Sequence, residues 1–253
     1  MAIFIPLVVI GNWPFTVAIY IMATVGLFEL LRMRGIKFFS VPGIITWAAL
    51  VVLLLPSNIG NQLYELIGYT KIELTFMAVL LLLIYTVLVK NRYTFDHVAF
   101  SMLGALYVAI GFYYLIETRH FGLEYVIYAL IVIWTTDTGA YFVGRKFGKR
   151  KLWPDISPNK TIEGSIGGII FAIIFACLFQ YFVPVTSSYI LLIGVTILAS
   201  VVGQLGDLVE SALKRHYDVK DSGNLLPGHG GILDRFDSLL FVLPLLHFLN
   251  FVA

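Results

Sequence analysis

The feature that most constrains the fold is a succession of long apolar segments separated by short polar ones. Hydrophobic residues make up 59% of the 253 residues and charged residues 13%, about half the charged share of a typical soluble domain. Lipid offers no hydrogen-bond partners to the backbone, so apolar runs of this length predict transmembrane helices. The sequence therefore predicts an all-α, polytopic membrane protein.

The apolar segments predict about eight full transmembrane helices and one short N-terminal helix. The full helices are predicted over residues 14–31, 41–55, 74–89, 98–116, 125–143, 166–183, 189–213 and 232–251. Residues 2–10 are apolar too, but they reach only about half of the roughly 20 residues that a crossing needs. They predict either a partial first helix or the remnant of a longer one.

The basic residues are distributed unevenly among the predicted loops. If the short helix leads outward, all of the 17 Lys and Arg residues except Lys71 and Arg119 fall on one side of the membrane. The positive-inside rule makes that side cytoplasmic. The net charge of +2 is too small to indicate nucleic-acid binding, and the single cysteine, Cys177, excludes an intrachain disulfide and a thiolate metal site.

The ionisable residues concentrate in the second half of the chain. We predict that residues 1–95 are N-terminal membrane helices with a packing or dimerisation role. Residues 96–253 are predicted to form the catalytic membrane region, with a polar site that faces the cytoplasm. The richest stretch runs from Gly206 to Asp237. Charges at a membrane boundary are costly unless they pair, bind an ion or meet a polar substrate, so function is expected there.

Two acidic residues lie near the end of the penultimate predicted helix. Gly203, Asp207, Glu210 and Lys214 recur at spacings of four, three and four residues, so they share one helix face. One explanation is that both carboxylates simply pair with Lys214 and Arg215. Two like charges one turn apart repel each other unless a further cation is present, and we therefore favour a metal site.

A second acidic pair begins the last predicted helix, where Asp234 and Asp237 are three residues apart. A helix dipole favours acids in a first turn, which is a sufficient structural explanation for one such pair. Two pairs on consecutive helices weaken that explanation. Oxygen ligands without cysteine select a hard cation such as Mg²⁺, and carboxylates on different helices suit two cations that bridge phosphates.

A glycine-rich loop over residues 226–231, with the sequence LPGHGG, separates the two acidic pairs. Glycine permits close backbone approach, and NH groups that enter a helix can bind an anion. Four basic residues flank the loop: Lys214, Arg215, Lys220 and Arg235. The loop is predicted to bind phosphate, and His229 either contacts that phosphate or holds the loop through a hydrogen bond.

Two further polar stretches lie upstream. Asp137 is the deepest acid in the chain, and Trp134, Tyr141 and Gly144 share its helix stripe. If Asp137 has a purely structural role, that role is to form an ion pair with a Lys or Arg from another helix.

Residues 157–164, with the sequence SPNKTIEG, predict a helix entry that Ser157 or Thr161 caps. Lys160 in this stretch is either a second phosphate ligand or a cytoplasmic lysine that sets topology.

Together these residues resemble the signature of the phosphatidate cytidylyltransferases, or CDP-diacylglycerol synthases. The long match starts with SALKR at Ser211, continues through Lys220 and ends with PGHGGILDRFD at Asp237. The stretches from Trp134 to Tyr141 and over residues 157–164 resemble two other parts of the family pattern. The resemblance covers residues 125 to 240 or thereabouts.

The resemblance implies a Mg²⁺-dependent nucleotidyltransferase of phospholipid synthesis in the bacterial inner membrane. Such an enzyme joins CTP to phosphatidic acid, releases pyrophosphate and leaves CDP-diacylglycerol in the membrane; a second cation and a homodimer are compatible with it. On this hypothesis the metal ligands are Asp207, Asp234, Asp237, Glu210 and Asp137. The catalytic residues are Lys214, Arg215 and Asp234. The substrate-binding residues are Lys160, Thr161, Ser211, Lys220, His229, Gly230, Gly231 and Arg235.

Two other functions stay open at this point. One is a related membrane enzyme, either a polyprenol kinase or an ether-lipid cytidylyltransferase. The other is a cation transporter, whose acids should lie near the bilayer midplane without a phosphate-binding loop.

Overall fold

A computed structural model of the protein describes residues 4–223 and 230–252, and nearly all of its secondary structure is helical. The described elements, in chain order, are α1 (Phe4–Ile10), α2 (Asn12–Met33), α3 (Val41–Leu54), α4 (Ser57–Ile67), α5 (Lys71–Leu88), α6 (Phe95–Phe121), α7 (Leu123–Phe147), β1 (Lys151–Trp153), β2 (Ser157–Thr161), α8 (Ile162–Phe182), α9 (Tyr189–His216) and α10 (Leu233–Phe248). The prediction of an all-α polytopic membrane protein is confirmed.

The predicted number of full spans is not confirmed. Within the described ranges, six helices are long and apolar enough to cross a membrane, namely α2, α5, α6, α7, α8 and α9. The predicted crossing at α3 continues into α4 through a bend of 113°, so this pair is at most one broken span or a re-entrant loop. Helix α10 has only 16 residues and contains Pro244. The protein is thus a multi-pass membrane protein, with six candidate spans in the described ranges, or seven if the bent pair counts as one.

The described chain forms two compact units. The α7–α10 unit contains residues 4–9, 118–220 and 234–252, and the α2–α6 unit contains residues 10–117, 221–223 and 230–233. The core of the α2–α6 unit includes the fully buried side chains of Ile19, Leu27, Leu50 and Leu82. The assignment of residues 96–253 as the catalytic region stays a prediction.

Close helix packing organises the α7–α10 unit. A Cβ added at Gly167 of α8 would lie 2.5 Å from Cβ of Val143 on α7, and one added at Gly206 of α9 would lie 2.8 Å from the carbonyl oxygen of Asp237 on α10. Small residues at such contacts let helix backbones approach closely inside a membrane. The glycines therefore bring α7 against α8 and α9 against α10.

A short antiparallel hairpin connects α7 to α8, with Lys151 opposite Thr161 and Trp153 opposite Ser157. Thr161 then caps α8, because its hydroxyl accepts a hydrogen bond from the backbone N–H of Gly164 at 3.1 Å. Of the two predicted caps, Thr161 is confirmed. Ser157 lies in β2 instead.

Candidate active site

A cavity of about 500 Å³ opens in the α7–α10 unit between α7, the hairpin, α8 and α9. This volume is within the usual range for a small-molecule site. The polar lining includes Asp137 from α7, Lys160 and Thr161 from β2, and Gln204 and Asp207 from α9. Residues that are far apart in the sequence thus contribute to one cavity.

Lys160 and Asp207 form an ion pair inside this cavity. The second oxygen of Asp207, Oδ1, accepts a hydrogen bond from the hydroxyl of Ser211, one turn further along α9, at 3.3 Å. The predicted phosphate ligand Lys160 therefore lies beside a predicted metal ligand. The simpler explanation for Asp207, pairing with Lys214 or Arg215, is not what the structure shows.

Lys214 connects the two acidic pairs. Its ammonium group lies 2.6 Å from Oε2 of Glu210 on the same helix and 2.7 Å from Oδ1 of Asp234 on α10. Glu210 is buried, with 1% of its side chain exposed. The structural explanation considered for Glu210, an i,i+4 pair with Lys214, is therefore present, and the same lysine also holds the start of α10 against α9.

Asp137 belongs to two neighbouring cavities. It faces Asp207 and Lys160 in the first, and it lines a second cavity of about 160 Å³ together with Asp234 and Asp237. Asp137 and Asp237 each interact electrostatically with Asp207 and with each other. Carboxylates from α7, α9 and α10 therefore lie close enough to interact with one another.

The chemistry of these donors fits a hard divalent cation. All are carboxylate oxygens, and in the part of the chain that the structure describes neither Asp137 nor Asp237 forms an ion pair. Repulsion among three converging carboxylates is relieved by a further cation. The ligands are not fully assembled, however, since the described residues contain no group of three or more acidic, His or Cys side chains placed to hold a metal. A physical reason for the incomplete assembly is that Asp207 and Asp234 are each paired with a lysine, which occupies carboxylate oxygens that would otherwise bind a metal.

Other predicted substrate-binding residues lie nearer the surface. Arg215 is exposed and donates a hydrogen bond from Nε to the carbonyl oxygen of Ile156 at 3.4 Å. Lys220 and Arg235 are exposed as well, and Arg235 lines the smaller cavity. His229 lies outside the described residues.

Sequence reasoning missed Glu29, in the α2–α6 unit. Only 2% of Glu29 is exposed, and its carboxylate accepts hydrogen bonds from the hydroxyl of Ser222 at 3.0 Å, the N–H of Ile232 at 2.9 Å and the N–H of Leu233 at 3.1 Å. A glutamate within an otherwise apolar predicted span was the available signal. Glu29 thus holds the chain immediately before Asp234.

The two predicted glycines pack in this same region. Gly230 has a positive φ of 78°, a backbone conformation that is strained for residues with a side chain but not for glycine. A Cβ added at Gly231 would collide with the Ser222 hydroxyl and the Glu29 carboxylate. In the structure Gly231 therefore makes room for a buried carboxylate, and its proposed contact with substrate stays a prediction.

Comparison with known proteins places the chain in a family. Residues 1–253 match the family described as the cytidylyltransferase family. The chain is 58% identical over 250 residues to the phosphatidate cytidylyltransferase of Bacillus subtilis, covering 98% of this chain and 92% of that protein. It is 50% and 48% identical over 249 residues to those of Staphylococcus haemolyticus and Staphylococcus aureus, covering 98% of this chain and 94% of each relative. The protein therefore belongs to the cytidylyltransferase family.

Proposed function

We propose that the protein is a phosphatidate cytidylyltransferase, which converts CTP and phosphatidate into CDP-diacylglycerol and pyrophosphate. The observation that carries the proposal is the convergence of Asp137, Asp207 and Asp237 beside two lysines in a chain-spanning relative of enzymes that bear this name. A water-soluble triphosphate and a lipid phosphate can meet only where a polar cavity adjoins a membrane, and this chain has such a cavity among its apolar helices.

The reaction joins two anions. A phosphate oxygen of phosphatidate attacks the α-phosphorus of CTP, a new P–O bond forms, and the bond between the α-phosphorus and the bridging oxygen breaks. The bonding pair leaves with pyrophosphate. Because the attacking phosphate is already ionised, the protein needs to supply cations and alignment rather than a strong base.

The carboxylates are proposed to hold Mg²⁺. Asp137, Asp207 and Asp237 would bind it, with Asp234 and Glu210 as further oxygen donors. When bound, Mg²⁺ would neutralise charge on the phosphate oxygens and fix their orientation. A second cation at the same acids stays part of the proposal.

The lysines are proposed to neutralise phosphate charge. The ammonium group of Lys160 is paired with Asp207, and that of Lys214 is paired with Asp234. Each ammonium group can exchange its carboxylate partner for an incoming phosphate oxygen. Lys160 lines the larger cavity directly. Arg215, Lys220 and Arg235 would add positive charge along the approach of CTP.

The proposed site faces the cytoplasm of a bacterial cell, where CTP is available. Support comes from the basic residues of the 145–160 and 214–235 stretches, which flank the cavities and which the positive-inside rule assigns to that side.

The test supplies CTP, Mg²⁺ and phosphatidate to the purified protein and measures pyrophosphate and CDP-diacylglycerol. Asp234→Asn should reduce turnover by at least about 100-fold, the scale of one lost electrostatic contact to the reacting groups. Asp218→Asn is the matched control, because Asp218 is exposed and its positive φ of 52° suits asparagine equally well. Normal turnover in Asp234→Asn would remove this acid from the mechanism.

The same assay separates the alternatives. A polyprenol kinase would release a nucleoside diphosphate instead of pyrophosphate, and an ether-lipid enzyme would prefer an ether-linked acceptor to phosphatidate. A cation transporter would carry ions across vesicles without nucleotide.

A further inference from the structure

Another cavity, in the α2–α6 unit, is lined by basic and aromatic residues. Its volume is about 680 Å³, and it lies between the loop that joins α2 to α3 and the loop that joins α5 to α6. We call it the loop pocket. Its lining residues are Gly35, Ile36, Lys37, Ser40, Pro42, Tyr85, Leu88, Val89, Lys90, Arg92, Tyr93 and His97. The proposed function does not use it.

Three cations line the loop pocket without a counter-ion. Lys37, Lys90 and Arg92 form no ion pair in the described ranges. The one acid nearby in sequence, Asp96 on the first turn of α6, is not among the lining residues. Positive-inside lysines explain the sign of the charge but do not require three cations to line one concavity. The pocket therefore offers concentrated, uncompensated positive charge.

His97 adds a hydrogen-bond donor to the lining. Its Nδ1 accepts a hydrogen bond from the backbone N–H of Thr94 at 3.2 Å. A nitrogen that accepts cannot carry the proton, so the proton of the neutral ring is on Nε2. Nε2 has no partner among the described residues, which leaves an N–H donor available at the pocket.

The remaining features also favour an anion. Helices α3 and α6 begin at the pocket, next to Ser40 and Tyr93 respectively, and a helix N-terminus carries partial positive charge. The Tyr93 hydroxyl hydrogen-bonds to that of Ser101 at 2.7 Å. Burial raises the pKa of the Tyr93 hydroxyl above its usual value, so this ring adds no negative charge.

The position of the loop pocket indicates a lipid rather than a soluble ligand. It lies where two membrane-spanning helices, α2 and α5, end. Apolar side chains are exposed at this boundary: Phe39 is 87% exposed, Val87 75% and Leu88 73%. A phosphate group in the pocket would therefore have a surface for acyl chains directly beside it.

We propose that the loop pocket binds the phosphate group of an anionic phospholipid whose acyl chains lie along α5. Basic pockets between membrane helices on the cytoplasmic side are suited to such headgroups. None of the residues that line the loop pocket is a proposed catalytic, metal-binding or substrate-binding residue, so this proposal does not depend on the proposed function.

The test titrates the full-length protein in detergent with fluorescent phosphatidylglycerol, an anionic lipid that is not the proposed substrate. The variant is Lys37→Gln/Lys90→Gln/Arg92→Gln. Its affinity should fall by about tenfold or more, since each cation near a membrane surface contributes measurably to anionic-lipid binding. The matched control, Lys146→Gln/Lys149→Gln/Lys151→Gln, removes the same charge from the α7–α10 unit and should bind as the wild type does. The charge-preserving variant Lys37→Arg/Lys90→Arg/Arg92→Lys should also retain binding.

Three results would overturn the proposal: unchanged affinity in the neutralised variant, equally tight binding of fluorescent phosphatidylcholine, or complete displacement by inorganic phosphate at the concentration of the lipid. The last would identify a site for a soluble anion. A phosphatidylglycerol that carries a photoactivatable group on its headgroup, added to the wild-type protein, gives an answer even if the variant fails to fold. Crosslinks should fall within residues 35–42 or 85–97, and crosslinks found only elsewhere would refute the assignment.

Discussion

Replacing Glu29 tests whether a buried carboxylate holds the start of α10. Oε1 of Glu29 accepts from the N–H of Ile232, and Oε2 accepts from the N–H of Leu233 and the hydroxyl of Ser222. Leu233 is the first residue of α10, and Asp234 follows it directly. A change at Glu29 should therefore affect both stability and the placement of a proposed catalytic acid.

The magnitude follows from these hydrogen bonds. In Glu29→Gln the amide NH₂ is best placed opposite Ile232, where two donors then face each other. Losing one bond to a charged group costs about 1.5–3 kcal/mol. In Glu29→Ala at least the three donors seen in the described residues lose this acceptor, at about 1–3 kcal/mol each, so the cost should be at least about 3 kcal/mol.

The assay measures the free energy of unfolding in detergent together with kcat and KM for CTP. For Glu29→Gln we expect a loss of about 2 kcal/mol in stability. If the same loss is felt in the transition state, kcat falls roughly 30-fold. Ser222→Ala should cost less, about 1 kcal/mol, because it removes one neutral donor. Glu65→Gln, a change at an exposed glutamate of α4, controls for loss of charge alone.

Wild-type stability and turnover in Glu29→Gln would refute the reasoning. A variant that lost stability but kept wild-type kcat at a temperature where it is folded would limit Glu29 to a structural role.

Three further predictions concern the α7–α10 unit. Asp137→Asn should raise the Mg²⁺ concentration for half-maximal activity by about tenfold or more while leaving thermal stability near that of the wild type, and an unchanged Mg²⁺ titration would exclude Asp137 as a ligand. Thr161→Ala should cost about 1 kcal/mol in unfolding free energy through loss of the α8 cap, whereas Thr161→Ser should retain most of it. Gly167→Ala should destabilise the protein because its Cβ meets Val143, while Gly194→Ala, with nothing within 4 Å, should be neutral or stabilising; equal effects would contradict the packing argument.

Local patterns determined much of this protein before any tertiary contact was considered. Apolar runs set the all-α membrane class, because lipid leaves the backbone no other partner. A cap by Ser157 or Thr161 followed from the residue types before a helical segment, and the structure selects Thr161. The shared face of Asp207, Glu210 and Lys214 followed from the helical period alone, and the Lys214–Glu210 pair is its local consequence.

Apolarity could not determine how each segment crosses. A run of apolar residues is equally compatible with a straight span and with one that bends, so the 113° bend between α3 and α4 was not predicted. The end of α10 at Phe248, three residues before the end of the predicted span, was not predicted either.

Only the tertiary structure decided which charges meet. Lys160 and Asp207 are 47 residues apart and pair because β2 and α9 place them at one cavity. Glu29 meets Leu233 across 204 residues, and no periodicity along α2 indicates that partner. Sequence period reports which side chains share a face, but the partner of that face depends on packing between distant helices, where glycines such as Gly206 set how closely two backbones approach.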